Sequence, residues 1–245
     1  MVARGGADAV LTGLIRTIPE TGSTNADMLA FAAAGASEGS WLRAERQTGG
    51  RGRQGRAWES PPGNLYASTL VRLRPSDPVA ATLALVAAVA LQDAVGVFLP
   101  SRATLKWPND LLIDGAKLSG ILLERAGDAV VIGIGVNLAH HPDLPDRPAT
   151  SLAAHGVAVP PDTFVEVLAE AFARWLGRWR GEGVDAIRQN WCARAHPVGT
   201  ALSTHLPDGS KVDGLFDGLD AEGALILKEA GGSRRVIHAG DVFLI

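Results

Sequence analysis

The sequence predicts an α/β (α+β) protein with a mixed β-sheet domain over residues 1–196 and a small β-barrel over residues 197–245. Strand-like and helical patterns alternate through the first part, as in domains that combine a sheet with packed helices. Two apolar runs, residues 117–124 and 129–137, favour a sheet that is covered on both faces. From Pro197 onwards, short strand-like runs broken by turns indicate a small barrel.

Composition sets the class of protein. The chain has 245 residues, of which 47% are hydrophobic and 20% charged, enough for one large domain and one small one. The net charge of -3 gives no overall basic field for nucleic acid. Cys192 is the single cysteine, so no intrachain disulfide can form, which agrees with a reducing compartment.

Residues 1–8 do not resemble a signal peptide, and the apolar run 79–91 is too short to span a membrane. We therefore expect a cytoplasmic protein with no membrane segment.

The elements of the first half follow from local patterns. Ser23, Thr24 and Asn25 offer N-cap oxygens, and Gly35 is a suitable stop for the helix that they begin. The apolar run 79–91, continuing to residue 99, predicts a buried helix. The predicted order is strand 14–19, helix 26–34, strand 41–47, strand 65–73, helix 79–91, strand 104–107 and strand 111–113.

The second half contains the paired strands 117–124 and 129–137, a loop over 140–148 with three prolines, and two helices. Asp162 is predicted to cap the first of these helices. Large apolar side chains recur along it at helical spacing, which is typical of a helix face in the core. These side chains are Phe164, Leu168, Phe172, Trp175 and Trp179. The second helix carries Val184, Ile187 and Trp191.

Residues 50–55, with the sequence Gly-Arg-Gly-Arg-Gln-Gly, are the strongest local signal of function. Glycines allow close approach to a ligand, and arginines present forked donors to carboxylates and phosphates. The segment therefore predicts a mobile loop that closes over an anion. It also fits the dinucleotide pattern G-x-G-x-x-G, but that pattern needs a following helix. Because Pro61, Pro62 and Gly63 follow instead, the dinucleotide interpretation is disfavoured.

Four other segments carry polar groups at positions suited to a site, although each has a plainer explanation. Residues 23–25 could simply cap a helix, and residues 106–110, Lys-Trp-Pro-Asn-Asp, could be a surface turn. Lys117 begins a predicted strand, where a lysine is usually solvated. The glycines of residues 133–137 lie inside a strand, where glycine often marks the close approach of a ligand.

Taken in this order, these segments resemble the biotin–protein ligase family. The resemblance extends from residue 14 to residue 245, and its signature loop is residues 45–58. It implies a catalytic domain of the biotin/lipoate ligase type with a C-terminal SH3-like barrel. Lipoate–protein ligases and octanoyl transferases share the catalytic fold without this loop and its downstream segments.

The resemblance also implies an activity. Biotin would react with ATP, supplied with Mg²⁺, to give biotinyl-5′-AMP. The biotinyl group would then pass to a specific lysine of the biotin carboxyl carrier protein, the acceptor in acetyl-CoA carboxylase. The alternatives are a lipoate or octanoate ligase and a non-catalytic regulator that binds biotinyl-adenylate. A nucleic-acid binder using the arginines around residues 43–56 is disfavoured by the acidic net charge.

The resemblance assigns roles residue by residue, with no resident metal site. The biotin-binding set is Ser23, Thr24, Asn25, Gln47, Gly50, Arg51, Gly52, Arg53, Lys117 and Gly120. The ATP and adenine set is Trp58, Asn137, Lys117 and Arg53. The catalytic set is Lys117, Arg51, Arg53 and Asp110. Trp58 could instead be a core residue, and Asp110 could merely cap its turn.

Only about 13 residues precede the first predicted strand, too few for a helix-turn-helix module. We therefore expect the short form of the family, with no DNA partner. A homodimer is left open.

Overall fold

The computed structural model describes residues 15–100, 102–144 and 147–245. The predicted strand start at residue 14 and the signal-peptide assessment of residues 1–8 lie outside these ranges.

A seven-stranded sheet forms the larger part of the described structure, in the spatial order β1-β2-β3-β7-β6-β5-β4. Its strands are β1 (Ile15–Thr21), β2 (Trp41–Gln47), β3 (Leu65–Arg72), β4 (Ala103–Lys106), β5 (Asp110–Ile113), β6 (Ala116–Ala126) and β7 (Ala129–Val136). β1 and β2 run parallel, and the remaining neighbours are antiparallel. The predicted mixed sheet is therefore confirmed.

Helices cover both faces of this sheet, as the apolar strands predicted. The helices are α1 (Thr24–Ala33), α2 (Leu83–Phe98), α3 (Pro161–Glu182) and α4 (Val184–Arg194). α1 packs on one face, where Met28 contacts a small cluster with Leu42 and Leu70. α2 and α3 lie on the other face over the main core. The predicted aromatic face of α3 is buried.

The segment Ala80–Phe98 has the length and composition of a membrane-crossing helix, and 61% of its apolar window is buried inside the protein. It packs against α3, α4 and the sheet. We assign it to the core.

The C-terminal segment forms a five-stranded antiparallel sheet in the order β11-β10-β9-β8-β12, which agrees with the predicted SH3-like domain. Its strands are β8 (Ala201–His205), β9 (Lys211–Leu219), β10 (Leu225–Lys228), β11 (Arg234–Ile237) and β12 (Asp241–Leu244). The predicted boundary at residues 196 and 197 lies between the end of α4 and the start of β8.

Several predicted helix starts were wrong. α1 begins at Thr24, with Ser23 as its N-cap, so Thr24 and Asn25 belong to the first turn. α2 begins at Leu83, after a short 3₁₀ turn. Asp162 does not cap α3: the helix begins at Pro161, whose ring favours the first helical position. The Asp162 carboxylate instead accepts from Arg43 at 2.7 Å.

Candidate active site

A cavity of about 590 Å³ lies between the two sheets, a volume typical of small-molecule sites. The start of α1, the end of β2, the arginine–glycine loop (residues 50–56), strands β5 to β7 and strand β12 all contribute to its wall. Every predicted site residue lines it except Gly50. Segments far apart in sequence therefore meet in one cavity.

One end of the cavity is a buried polar network at the first turn of α1. Thr24 donates its backbone N–H to Gln47 Oε1 at 2.8 Å, and its hydroxyl lies 3.1 Å from the same oxygen. The Asn25 amide donates to Glu124 Oε2 at 2.8 Å and to the Leu122 carbonyl at 3.3 Å. Both Asn25 N–H groups are thus engaged by the protein, and its carbonyl oxygen is the group that can serve a ligand.

The arginine–glycine loop doubles back on itself. Gly52 N–H donates to the Arg56 carbonyl at 2.8 Å, and a turn at Arg53–Gly55 reverses the chain. Gln54 lies in the left-handed region at φ 58°. A Cβ on Gly50 would lie 2.5 Å from the Trp58 carbonyl oxygen, so this position requires glycine. The next regular element is β3, which confirms that the helix required by a dinucleotide fingerprint does not follow.

The three arginines of this loop point in different directions. Arg53 donates to the Gly240 carbonyl at 3.3 Å and to Asn109 Oδ1 at 3.5 Å. Burial lowers the pKa of Arg53, and nearby Asp241 and Asp110 oppose that shift. Arg56 is ion-paired with Asp241 of β12. The arginine–glycine loop is therefore held against the small sheet.

The third arginine, Arg51, faces the polar network. Its guanidinium lies 3.7 Å from Glu124, the carboxylate that also accepts from Asn25.

Two lysines flank the buried carboxylate of Asp110, which is 6% exposed. Lys117 Nζ lies 2.5 Å from Asp110 Oδ1, and Lys106 Nζ lies 3.5 Å from Oδ2. Burial lowers the pKa of Lys106, the Asp110 carboxylate raises it, and the Lys117 charge lowers it further. This arrangement concentrates positive charge at the centre of the cavity, where two anionic groups could be brought together.

Trp58 lies over a floor made of glycines rather than in the apolar core. A Cβ on Gly135 would lie 2.6 Å from the Trp58 ring, and one on Gly120 would lie 3.3 Å from it. Lys117 Nζ is 5.6 Å from the ring centroid. Among the residues that the structure describes, the buried indole N–H has no hydrogen-bond partner. The half-buried Trp58 is thus an aromatic wall of the cavity.

The strand glycines, which are predicted to mark the close approach of a ligand, also allow the close approach of two side chains. A Cβ on Gly133 would lie 2.3 Å from Asn25 Oδ1, and Gly135 receives the Trp58 ring. Gly133, Gly135 and both side chains line the cavity.

Asn137 lies at the end of β7 and is 3% exposed. Its side-chain amide donates to the Thr150 carbonyl at 3.0 Å and to the Lys117 carbonyl at 3.5 Å. These bonds fix the chain that follows β7. They leave the side-chain oxygen, Asn137 Oδ1, as the group that can accept from a ligand amine.

The sequence prediction missed several residues at the site. Lys106 and Asn109 were seen as part of a polar turn but were left out of the site sets. Ser68, a buried hydroxyl inside an apolar strand, had a visible signal that was not used. The small sheet supplies His205, Asp241, Val242 and Phe243. No local pattern could reveal these four, because their partners lie as far as 185 residues away in sequence.

Residues 20–137 match the model of the biotin/lipoate A/B protein ligase family, and residues 204–245 match the biotin protein ligase C-terminal domain. A biotin--[acetyl-CoA-carboxylase] ligase from Paracoccus denitrificans is 43% identical over 239 residues, spanning 92% of this chain and 98% of the relative. The chain belongs to the biotin protein ligase family.

Solved structures of biotin protein ligases show the same architecture. The enzyme from Aquifex aeolicus in complex with biotin and ATP superposes with a TM-score of 0.83 at 24% identity, covering 94% of this chain and 99% of the other. The biotin protein ligase from Leishmania major in complex with biotinyl-5-AMP has a TM-score of 0.63 at 27% identity, covering 92% and 98%.

Proposed function

We propose that this protein is an ATP-dependent biotin–[biotin carboxyl carrier protein] ligase, with a carrier domain of acetyl-CoA carboxylase as its acceptor. The observation that carries this proposal is that one cavity contains a polar network, a cluster of cations and an aromatic wall. These three groups suit a ureido head, a carboxylate meeting a phosphate, and an adenine ring.

The first half-reaction joins two anions. An oxygen of the biotin carboxylate attacks the α-phosphorus of ATP, the bond between the α- and β-phosphates breaks, and pyrophosphate leaves. We assign Lys117 to the charge that develops between carboxylate and phosphate, with Arg51 and Arg53 on the closing loop. In the part of the chain that the structure describes, no group of three or more His, Cys, Asp or Glu side chains is placed to hold a metal ion. We write Mg²⁺ as part of the Mg-ATP substrate.

The second half-reaction transfers the acyl group. The amine of the acceptor lysine attacks the carbonyl carbon of the mixed anhydride, loses a proton and releases AMP. Asp110 is the carboxylate in reach of this centre, and we assign it to orient or deprotonate that amine. Its ion pairs with two lysines support a site role over a turn-capping role.

The remaining assignments follow the cavity from end to end. Ser23, Thr24, Asn25 and Gln47 hold the ureido end, where Asn25 contributes the second lone pair of Oδ1, whose other contact is Ser68. Gly50 and Gly52 give the loop its tight turns, and Gly120 allows close approach of biotin to β6. Trp58 stacks on adenine, and Asn137 accepts from the exocyclic amine of the base through Oδ1.

A lipoate or octanoate ligase is the nearest alternative. The C-terminal match to a biotin protein ligase domain and the 43% identity to a biotin ligase both favour biotin. A regulator that only binds biotinyl-adenylate would need affinity but no transfer machinery. The buried Asp110 beside Lys117 favours an enzyme.

We extend the proposal to the cellular setting. The protein acts in the cytoplasm on a carrier domain and does not bind an operator, and a homodimer is compatible with this function. We also propose residues 1–196 and 197–245 as the catalytic domain and the C-terminal domain.

The direct test is incubation of the protein with labelled biotin, Mg-ATP and a biotin carboxyl carrier domain. We expect stable label on one lysine of the carrier, no label when ATP is omitted, and none when that lysine is replaced by arginine. Labelled lipoate with a lipoyl domain is the matched control. Faster labelling of the lipoyl domain would overturn the proposal.

A further inference from the structure

We propose that Ser68 is a positioning residue that sets the hydrogen-bond directions of the biotin end of the cavity. This inference rests on the proposed function. Ser68 lies on β3, is 0% exposed and does not line the cavity itself. It acts through two residues that do.

The contacts of Ser68 are short. Its Oγ lies 2.6 Å from Asn25 Oδ1 and 2.8 Å from Thr24 Oγ1. One buried hydroxyl therefore connects the two adjacent residues at the start of α1 that face the cavity.

The direction of each bond follows from counting protons. The orientation of the Asn25 amide is fixed, because its nitrogen donates to Glu124 and to the Leu122 carbonyl. Asn25 Oδ1 can only accept, so the single Ser68 proton goes to it. The Thr24 proton must then be shared between two internal acceptors, Ser68 Oγ and Gln47 Oε1 at 3.1 Å.

Thr24 consequently presents lone pairs, not a proton, to the cavity. A ureido ring carries two N–H donors, and an oxygen held as an acceptor is the complement of such a donor. Without Ser68, Asn25 Oδ1 loses its donor and Thr24 loses one of the acceptors that hold its proton. The biotin end then binds a donor less well, while the cation cluster stays intact.

The test compares Ser68→Ala with Thr69→Val. Thr69 is the neighbouring residue on β3, is 0% exposed, and donates to the Ser40 carbonyl at 3.0 Å, outside this network. We expect Ser68→Ala to raise the biotin Kd and the biotin KM by about five- to tenfold, as for a lost buried hydrogen bond. The ATP KM and the kcat should stay within about twofold. Thr69→Val should lower the melting temperature and leave biotin affinity unchanged.

Two further measurements separate positioning from general damage. Ser68→Cys keeps a weak donor in nearly the same volume, so its biotin affinity should lie between those of wild type and Ser68→Ala. Desthiobiotin keeps the ureido ring and lacks the thioether, so it should lose the same factor as biotin. If Ser68→Ala raises the ATP KM equally, or if the losses for the two ligands differ, the inference is overturned. Absence of biotin binding by the wild type would instead overturn the proposed function.

Discussion

Lys117 carries its positive charge 2.5 Å from the Asp110 carboxylate and is 16% exposed at its side chain. Asp110 also contacts Lys106, so the three groups share two positive charges and one negative charge. A lysine in this position is held in place by its partner and needs little rearrangement to meet an incoming anion. Preorganised charge of this kind supplies much of the catalysis in enzymes that join anions.

We therefore expect Lys117→Ala to slow adenylate formation by roughly 10²–10³-fold, the usual cost of removing one preorganised donor. Transfer from biotinyl-adenylate made beforehand should suffer less, because that step no longer joins two anions. Lys117→Arg should restore the first step only in part, since the planar guanidinium group of arginine does not reproduce the compact charge of the lysine ammonium group. Pyrophosphate release in a single turnover is the measurement.

Lys211→Ala is the matched surface control, because this lysine is 54% exposed at its side chain and pairs with the exposed Asp213. Its effect should stay below about twofold. If Lys117→Ala behaves like Lys211→Ala, the charge must be stabilised by Arg51 and Arg53 instead.

Among individual residues, the sequence analysis selected those that lie in recognisable short motifs. Lys117, Arg53 and Asn25 were singled out from their segments, and all three line the cavity. Ser68 was missed although a hydroxyl inside an apolar strand is a local signal, because its two partners lie 43 and 44 residues away and only the fold shows what it contacts.

At the scale of elements, the arginine–glycine loop is tied to both sheets by a few polar contacts. Arg56 pairs with Asp241, Arg53 donates to the Gly240 carbonyl, and Arg51 faces Glu124. Arg51 and Arg56 are more than 40% exposed at their side chains, so their ion pairs contribute modestly. Such a loop can open at small cost and close again when an anion engages its arginines.

Limited trypsin digestion tests this behaviour. Cleavage after Arg51 and Arg53 should slow when biotin and Mg-ATP are present, because the arginines then bind the ligand. Asp241→Asn should speed cleavage without ligand, since Arg56 loses its charged partner. Cleavage after the exposed Arg235 is the internal control and should not change. Equal cleavage of the loop with and without ligand would contradict the closing-loop hypothesis.

Element prediction succeeded where side-chain periodicity is strong and failed at boundaries. The aromatic face of α3 was anticipated, because burial repeats along one side of a helix. The first residue of α3 was not predicted correctly, because Asp162 and Pro161 both fit a helix N-terminus. The ion pair between Asp162 and Arg43 could not be predicted either, because Arg43 lies on a strand more than a hundred residues away.

At the scale of the whole molecule, one hydrophobic cluster runs through both sheets. Trp191 of α4 and Phe216 of β9 meet edge-on with ring centroids 6.4 Å apart. Trp107 donates its indole N–H to the Gly223 carbonyl at 3.0 Å. The two proposed domains therefore share a core, and we expect them to unfold together.

Phe216→Ala tests this expectation. Phe216 is 3% exposed, and truncating a buried phenylalanine costs about 3–5 kcal/mol of unfolding free energy. The loss should appear in one transition, with tryptophan fluorescence and ligase activity falling at the same denaturant concentration. Leu215→Ala, at a neighbouring position that is 44% exposed, should change stability by no more than about 0.5 kcal/mol. Two separated transitions would show that the domains unfold independently.

The glycine floor beneath Trp58 also bears on how this protein could acquire a new substrate. The atoms that a methyl group on Gly120 or Gly135 would meet belong to Trp58 and Lys117, which project from the cavity side. Enlarging such a position would reshape the binding slot while the strand ladder behind it stays paired. The floor is thus a place where evolution or engineering can change ligand preference, with Gly120 bearing on biotin analogues and Gly135, whose Cβ would displace the Trp58 ring, bearing on the nucleotide.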